Sequence, residues 1–264
     1  MRALETTWLR RPDGEVLVRR RESGNGAWVV FLHGAGMDGH MFDAQLPAVP
    51  DDWGICVWDA RGHGSSSFDG RFTFADLAGD LAALLQTMPA TRIVLVGQSM
   101  GGNLAQFHVA THPGAISQLV LIGCTDNHGS LSRGEQVLLA LSVPILAAYP
   151  WRTAVRQSAA ACGTTQTTRD YAERTLTATG RRRFLHVLDA TRQAIRPDPT
   201  YRLPVPTLLL LGEFDRSGNI AAAMRSWPDR DPQARLVVVA GAGHNANQDS
   251  PDAVNAELAA FLGW

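Results

Sequence analysis

The sequence predicts an α/β fold built on a mostly parallel, doubly wound sheet with an inserted helical lid. Six short apolar runs lack polar alternation, which predicts strands covered on both faces, as in a parallel sheet between helices. Segments of helical period separate these runs, and strand alternating with helix is typical of a doubly wound sheet. The predicted strands are 28–32, 55–58, 93–96, 119–122, 207–211 and 236–239.

An antiparallel hairpin is predicted ahead of these strands. The runs ETTWLR (5–10) and EVLVRR (15–20) alternate polar and apolar residues around a Pro-Asp-Gly turn. Such alternation indicates strands with one solvated face, so we expect the hairpin at an edge of the sheet. The clearest helical periods span 74–88, 103–112 and 250–264, the last opening with Ser-Pro, a helix start signal.

The helical lid is predicted where the alternation stops. Residues 125–203 contain no convincing strand, only helical segments separated by glycine and proline. A stretch of this length is too long for a loop in a compact domain. We therefore expect an α/β core of residues 1–124 and 204–264 with residues 125–203 inserted as a lid.

Composition and charge narrow the classes of partner. The chain has 264 residues, 45% of them hydrophobic, and a net charge of -1, which argues against a nucleic-acid binder. The longest apolar stretch (137–151) is interrupted by Ser142 and Pro144 and is too short to span a bilayer, so no membrane association is expected.

The N-terminus and the cysteines indicate the compartment. The first twenty residues lack the apolar run and cleavage site of a secretory signal. Cys56, Cys124 and Cys162 form no CxxC pair, so we expect neither a disulfide framework nor a metal site. A cytoplasmic location is predicted, with the chain as a monomer or a homodimer.

The run VLVGQSMGGN (94–103) leads a predicted strand directly into a helix. In so sharp a turn neighbouring side chains would collide with the sheet, which explains Gly97 and Gly101, while Gly102 lets the helix lie close to the strand. The turn presents Ser99 at the carboxyl edge of the sheet, at the positive end of a helix. A hydroxyl there is a candidate nucleophile, provided that a base accompanies it.

The base and its orienting acid are predicted on loops at the same sheet edge. His244 follows the last predicted strand, and Asp215 follows the strand before it. The chain order Ser, Asp, His is the order expected for this architecture. Asp126 follows another strand and remains an alternative to Asp215, whereas Glu213 should be displaced from that geometry.

Acyl transfer also needs donors for an oxyanion. One should be the backbone N–H of Met100, and the other should come from the loop HGAGMDG (33–39), where Ala35 is the best candidate and Gly36 the next. In a further glycine-rich loop (58–67) we expect an Asp59–Arg61 ion pair of structural importance only.

The motifs FLHGAG, WDARGHGSSS, GQSMGG, LLGEFD and GAGHN resemble those of the α/β-hydrolase family in order and spacing over nearly the whole chain. The resemblance implies the α/β-hydrolase fold, with Ser99 as nucleophile and His244 as base and then acid. It also implies Asp215 as the carboxylate that orients the His244 ring. It also implies Met100 and Ala35 as oxyanion donors.

Residues 98 and 99 indicate which members of that family the chain resembles. Gln98 stands where histidine is more common before the nucleophile, a modest departure. Haloalkane dehalogenases and epoxide hydrolases of this fold look similar but carry an aspartate where this chain has Ser99, which argues against both.

The predicted reaction is hydrolysis of a small to medium, largely apolar carboxylic ester or lactone through an acyl-enzyme, without metal or organic cofactor. Hydrolysis of a C–C bond stays open. Some apolar side chains of the lid should line the substrate pocket, although they could equally pack the lid on the core. The expected pocket residues are Gly36, Leu141, Ile145, Tyr149 and Trp151.

Two other functions are compatible with the same motifs. Some members of the family keep an intact triad and act mainly as small-molecule receptors with slow turnover. Others perform cofactor-free oxygenase or perhydrolase chemistry in which His244 would act as the base and Ser99 would be secondary.

Overall fold

The computed structural model describes residues 3–68 and 70–264 of the chain. Within these ranges nine strands form one sheet. The strands are β1 (Glu5–Arg11), β2 (Gly14–Arg21), β3 (Ala27–Leu32), β4 (Gly54–Trp58), β5 (Ser67–Phe68), β6 (Arg92–Gln98), β7 (Gln118–Ile122), β8 (Thr207–Gly212) and β9 (Ala234–Val239).

Nine α-helices accompany these strands in the described ranges. They are α1 (Phe74–Gln86), α2 (Met100–Thr111), α3 (Arg133–Ala148), α4 (Trp151–Cys162), α5 (Gln166–Thr179), α6 (Arg181–Arg192), α7 (Ile220–Arg230), α8 (Ala246–Asp249) and α9 (Pro251–Leu262). Short 3₁₀ helices span Gly39–Phe42 and Leu46–Ala48.

The sheet has the order β1-β2-β4-β3-β6-β7-β8-β9, with β5 paired to β2. Strands β3, β4 and β6 to β9 are parallel, whereas β1, β2 and β5 pair antiparallel at one side of the sheet. This confirms the predicted hydrolase-type α/β architecture with its edge hairpin. Because the parallel strands end at one edge, the loops after β6, β8 and β9 share that edge.

The central strands are buried on both faces. In β6, Leu95 packs into the hydrophobic cluster on one side of the sheet, while Val94 and Val96 pack into the cluster on the other. Strands β3, β4 and β8 are buried along their whole length. Each fully buried aliphatic side chain contributes about 1.5–3 kcal/mol, which explains why these strands read as continuous apolar runs.

The chain between β7 and β8 forms the four helices α3 to α6, and we refer to residues 125–203 as the helical insertion. Helices α4, α5 and α6 bury Val155, Leu176 and Phe184 in the core cluster of Val94 and Val96. Helix α3 has no buried side chain. The insertion is therefore held to the sheet mainly through its last three helices, and its standing as a separate domain stays a prediction.

The loop after β4 differs from the expected Asp59–Arg61 ion pair. Both Asp59 oxygens accept backbone N–H groups, from Gly39 at 2.9 Å and Ser65 at 2.8 Å. Arg61 instead binds the fully buried Asp80 of α1, at 2.5 Å through Nε and 2.6 Å through Nη2. The fork of the guanidinium thus meets a carboxylate that needs a charged partner, whereas Asp59 is already satisfied.

No described helix combines the length and the apolar character that crossing a bilayer requires. The cytoplasmic location and the state as monomer or homodimer stay predictions.

Two buried histidines meet at the loop after β4: His63 belongs to this loop, and His33 follows β3. His33 Nε2 accepts the N–H of Ala60 at 2.8 Å, so the ring is neutral, and its Nδ1 meets Gly34 O at 2.8 Å. The His63 ring lies 4.9 Å from that of His33. Burial lowers the pKa of His33, and burial together with the His33 ring lowers the pKa of His63 to about 3.

These shifts predict a loss of stability in mild acid. Below about pH 6.5 the unfolded chain protonates His63 while the folded protein does not, so the free energy of unfolding falls as the pH falls toward the folded pKa. Urea unfolding at pH 7, 6, 5 and 4 should show that His63→Asn reduces this slope by up to about 1.4 kcal/mol per pH unit. Equal slopes for both proteins would contradict this account.

Candidate active site

The turn between β6 and α2 holds Ser99 in a strained backbone conformation. Ser99 has φ 49° and ψ -115°, and it is the one residue other than glycine with a positive φ in the described chain. Such a conformation costs about 1–3 kcal/mol. It is supported by hydrogen bonds from Ser99 N to Ile122 O and from Asn103 N to Ser99 O, both 3.0 Å.

The glycines of this turn are required by close backbone contacts, as predicted. A Cβ on Gly101 would lie 2.0 Å from Leu32 O, and a Cβ on Gly97 would lie 2.4 Å from Gly101 O. Helix α2 can start beside β3 only because these positions carry no side chain. Within the described residues the Ser99 side chain makes no capping bond to α2, so its hydroxyl stays available.

His244 is paired with Asp215. The His244 Nδ1 lies 2.9 Å from Asp215 Oδ2, and Asp215 Oδ1 accepts the N–H of Ser217 at 2.8 Å. Burial opposes ionisation of Asp215, but the hydrogen bond and charge of His244, with the Ser217 N–H, outweigh it and lower the pKa of the carboxyl. An ionised Asp215 accepts the Nδ1 proton, which leaves Nε2 of His244 for another partner.

The other two acids are engaged elsewhere. Asp126 Oδ2 forms an ion pair with Arg230 Nη1 at 2.6 Å, and its Oδ1 accepts the N–H of His128 at 2.9 Å. The exposed Glu213 accepts the N–H of Gly241 at 2.9 Å. The structure therefore pairs His244 with Asp215 rather than with Asp126.

Two cavities meet at Ser99. A cavity of about 270 Å³ is lined by both Ser99 and His244 and contains Ala35, Gln98 and Phe184 in its wall. A second cavity of about 490 Å³ extends from Ser99 between the insertion and the sheet edge. Its apolar lining residues are Leu131, Leu138, Leu139, Leu188, Ile195 and Ile220. Leu188 of α6 lines both cavities.

Two backbone N–H groups are available beside the serine. Met100 is the first residue of α2, where N–H groups lack intrahelical acceptors. The loop after β3 lies against the serine, because a Cβ on Gly34 would be 3.4 Å from Ser99 Cβ. In residues 3–68 and 70–264, neither Met100 N nor Ala35 N donates to a protein acceptor.

The expected pocket residues of α3 need correction. Leu141, Ile145 and Tyr149 are 46%, 51% and 44% exposed and line neither cavity at Ser99. The α3 residues that do so are Glu135, Leu138, Leu139, Ser142 and Leu146. Positions 139, 142 and 146 share a face at i, i+3, i+7, while 141, 145 and 149 follow i, i+4, i+8 on another face. Both faces are largely apolar, so the pattern did not distinguish them.

The other two expected pocket residues lie behind the cavity wall. Gly36 is buried under α5 and α6, where a Cβ would lie 2.5 Å from Leu176 Cδ2. Trp151 is half-buried with its ring 5.9 Å from that of Phe184. Neither residue is among those lining the two cavities at Ser99.

The hydrogen bonds of Gln98 and the role of Gly123 behind His244 were not predicted from the sequence. Gln98 Nε2 donates to His244 O at 3.3 Å and to Asn245 Oδ1 at 3.2 Å, so the residue before Ser99 fixes the histidine loop. Gly123, with φ 50°, leaves room for the pair, since a Cβ there would lie 3.1 Å from His244 Nδ1 and 3.2 Å from Asp215 Oδ2. The only signal for Gly123 was its place directly after a buried strand.

A family model described as the alpha/beta hydrolase family matches residues 29–257. The chain belongs to this family. Among its relatives is the 2-(acetamidomethylene)succinate hydrolase of Mesorhizobium japonicum, 26% identical over 96% of this chain and 94% of that protein. Relatives are named hydrolases and esterases, and this alpha/beta hydrolase is an enzyme.

Other similarities cover less sequence or are structural. The pimeloyl-[acyl-carrier protein] methyl ester esterase of Neisseria meningitidis is 33% identical over 45% of this chain and 43% of that protein. The enol-lactonase of Burkholderia xenovorans LB400 superposes with a TM-score of 0.81 at 21% identity, over 98% of this chain and 100% of that one. The last similarity supports the fold alone.

Replacing Gly123 with alanine tests the packing behind the pair. The new Cβ would press on His244 and Asp215 at a left-handed position, so we expect reaction of residue 99 with a fluorophosphonate to slow by about 10-fold, a barrier change of about 1.4 kcal/mol. Gly114→Ala is the matched control, because Gly114 also has a positive φ (85°) but no atom within 4 Å of its would-be Cβ. Equal rates for the two variants would refute this role.

Proposed function

We propose that this alpha/beta hydrolase is a serine hydrolase that cleaves a small to medium, largely apolar carboxylic ester or lactone through an acyl-enzyme. The observation that carries the proposal is that His244, bonded to Asp215 at 2.9 Å, lines the same cavity as the strained Ser99. A nucleophile, a base and an orienting acid are the groups that acyl transfer requires.

In the proposed acylation step, Ser99 Oγ attacks the carbonyl carbon while His244 Nε2 takes the hydroxyl proton. The resulting oxyanion accepts hydrogen bonds from the N–H groups of Met100 and Ala35. Asp215 stabilises the imidazolium that forms. As the tetrahedral intermediate collapses, His244 gives the proton to the departing alcohol oxygen, and the acyl group remains on Ser99.

In the proposed deacylation step, His244 takes a proton from water as the water oxygen attacks the acyl carbon. The same two N–H groups hold the second oxyanion. The proton returns to Ser99 Oγ as the carboxylic acid leaves. The substrate, the side chains and N–H groups named above, and water supply every atom and proton in these steps.

The cavities support an apolar substrate. Leucine and isoleucine form the apolar wall of the 490 Å³ cavity, which Glu135 and Arg192 also line. Among the described residues, no arginine or lysine lines the 270 Å³ cavity. Ligand sites of this kind bind apolar groups and use a few polar atoms for orientation. The printed names of the relatives, a hydrolase and an ester esterase, agree with this class of reaction.

A serine-directed fluorophosphonate followed by peptide mapping tests the nucleophile. We expect a single label at Ser99, and a fall of about 10³-fold or more in labelling and in aryl-ester turnover for His244→Ala, because the hydroxyl then lacks its base. Asp215→Asn should lower turnover by about 10²–10⁴-fold through loss of ring orientation. Aryl-ester turnover that persists in Ser99→Ala would instead favour chemistry carried by His244 alone, and one slow turnover by the wild type would favour a receptor.

Leu188 should form part of the wall between the two cavities, because it lines both of them. Leu188→Ala would join them, so the ratio of kcat/KM for p-nitrophenyl hexanoate to that for the acetate should rise by about 3–10-fold, given about 0.8 kcal/mol per buried CH₂. Leu185→Ala on the same helix lines neither of these cavities and serves as the control. An unchanged ratio in Leu188→Ala would show that Leu188 does not limit chain length.

A further inference from the structure

A second carboxylate lies beside the histidine loop. Asp249, the last residue of α8, is five positions after His244. Its Oδ2 accepts the N–H groups of Gly243 and Thr164, each at 2.8 Å. Its Oδ1 accepts the N–H of Thr165 at 3.1 Å and the hydroxyl of Thr165 at 3.0 Å. One side chain thus joins the residue before His244 to the turn between α4 and α5 of the helical insertion.

The end of α4 and the turn that follows it also form hydrogen bonds with other residues of the histidine loop. Asn245 N donates to Cys162 O at 2.7 Å, and Thr164 Oγ1 donates to Gly241 O at 2.8 Å. The two backbones touch, since a Cβ on Gly243 would lie 3.1 Å from Gly163 Cα. Both neighbours of His244 in the chain are therefore held by hydrogen bonds, Gly243 to Asp249 and Asn245 to Cys162.

The four hydrogen-bond donors around Asp249 require its carboxyl group to be ionised. Burial opposes ionisation of Asp249, but the N–H groups of Thr164, Gly243 and Thr165 outweigh it and lower the pKa of the carboxyl. Among the ion pairs of the described chain, none includes Asp249, so its charge is balanced by these donors. An amide in the same place has one acceptor oxygen, and its NH₂ would face either Gly243 and Thr164 or Thr165.

We propose that Asp249 is a positioning residue for His244, fixing the histidine loop to the α4–α5 turn so that the ring stays within reach of Ser99. This inference rests on the proposed function. It gives the helical insertion a task besides covering the cavities, because the insertion supplies the fixed side of the contact. Asp215 holds the ring through Nδ1, whereas Asp249 holds the backbone that carries the ring.

The test compares Asp249→Asn with Asp231→Asn in the full chain. Asp231 is also a buried carboxylate that accepts a backbone N–H, from Leu203 at 3.0 Å, but it lies before β9, at the opposite end of that strand from the His244 loop. Below the melting temperature of both variants, we expect Asp249→Asn to lower kcat and the rate of fluorophosphonate labelling by about 10–100-fold, as expected for a small misplacement of a catalytic group. KM should stay within about 2-fold.

The control separates positioning from folding. Asp231→Asn should lower the melting temperature while labelling at close to the wild-type rate. Hydrogen exchange should become faster in Asp249→Asn at residues 241–245 and 162–166, and unchanged in β6. If Asp249→Asn exchanged faster at residues 241–245 and 162–166 but was labelled at the wild-type rate, the positioning role would be overturned. Equal slowing of labelling in Asp249→Asn and Asp231→Asn would also overturn it.

A second pair of variants covers the case in which Asp249→Asn does not fold. Thr165→Val removes one of the four donors together with the N-cap of α5, and Thr165→Ser restores both, so labelling should slow by about 2–5-fold in the first and recover in the second. Equal rates in both would overturn the inference. Wild-type protein that takes no label at Ser99 would overturn the proposed function instead, while wild-type labelling with unaffected Asp249 and Thr165 variants would overturn this inference alone.

Discussion

The site depends on the close contact between the start of helix α2 and the end of strand β3. Leu32 O lies 2.0 Å from the position that a Cβ of Gly101 would take, and the absence of that Cβ allows β6 to turn into α2 at Ser99. The positive φ of Ser99 costs about 1–3 kcal/mol, which the sheet around β6 supplies through buried aliphatic side chains. Since β6 lies between β3 and β7, the strained residue directly follows a strand that is paired on both sides.

The core and the insertion both contribute residues to the site. The sheet edge supplies Ser99, Asp215 and His244, and the insertion supplies Leu139, Leu146 and Leu188 of the cavity walls. Within the insertion the attachment is uneven, because α4 to α6 share the core cluster while α3 buries no side chain. Motion of α3 would therefore change the larger cavity without disturbing the hydrogen bonds that hold the histidine loop.

The sequence predicted the strands and the sheet edge at which the loops meet better than it predicted the pairing of side chains. Strands buried on both faces read as apolar runs, and the loops after β6, β8 and β9 carry Ser99, Asp215 and His244 in recognisable surroundings. Side-chain partners distant in sequence could not be predicted. Asp80 lies on a helix, and nothing in the pattern of that helix indicates that Asp80 pairs with Arg61. The pocket face of α3 was mistaken because apolar residues occupy several faces, and periodicity identifies a face only where polar residues mark the others.

In the proposed mechanism two carboxylates act on His244 through different bonds, and the difference explains why both would be needed. A single hydrogen bond to Nδ1 fixes the direction of the ring but leaves the Cα free to move with its loop. Four hydrogen bonds to Asp249 fix the loop but leave the ring free to rotate about its own side-chain bonds. Because proton transfer requires heavy atoms within about 3 Å of each other, both freedoms must be removed. Residues 215 and 249 lie on opposite sides of the histidine in sequence, so each constraint comes from a separate segment.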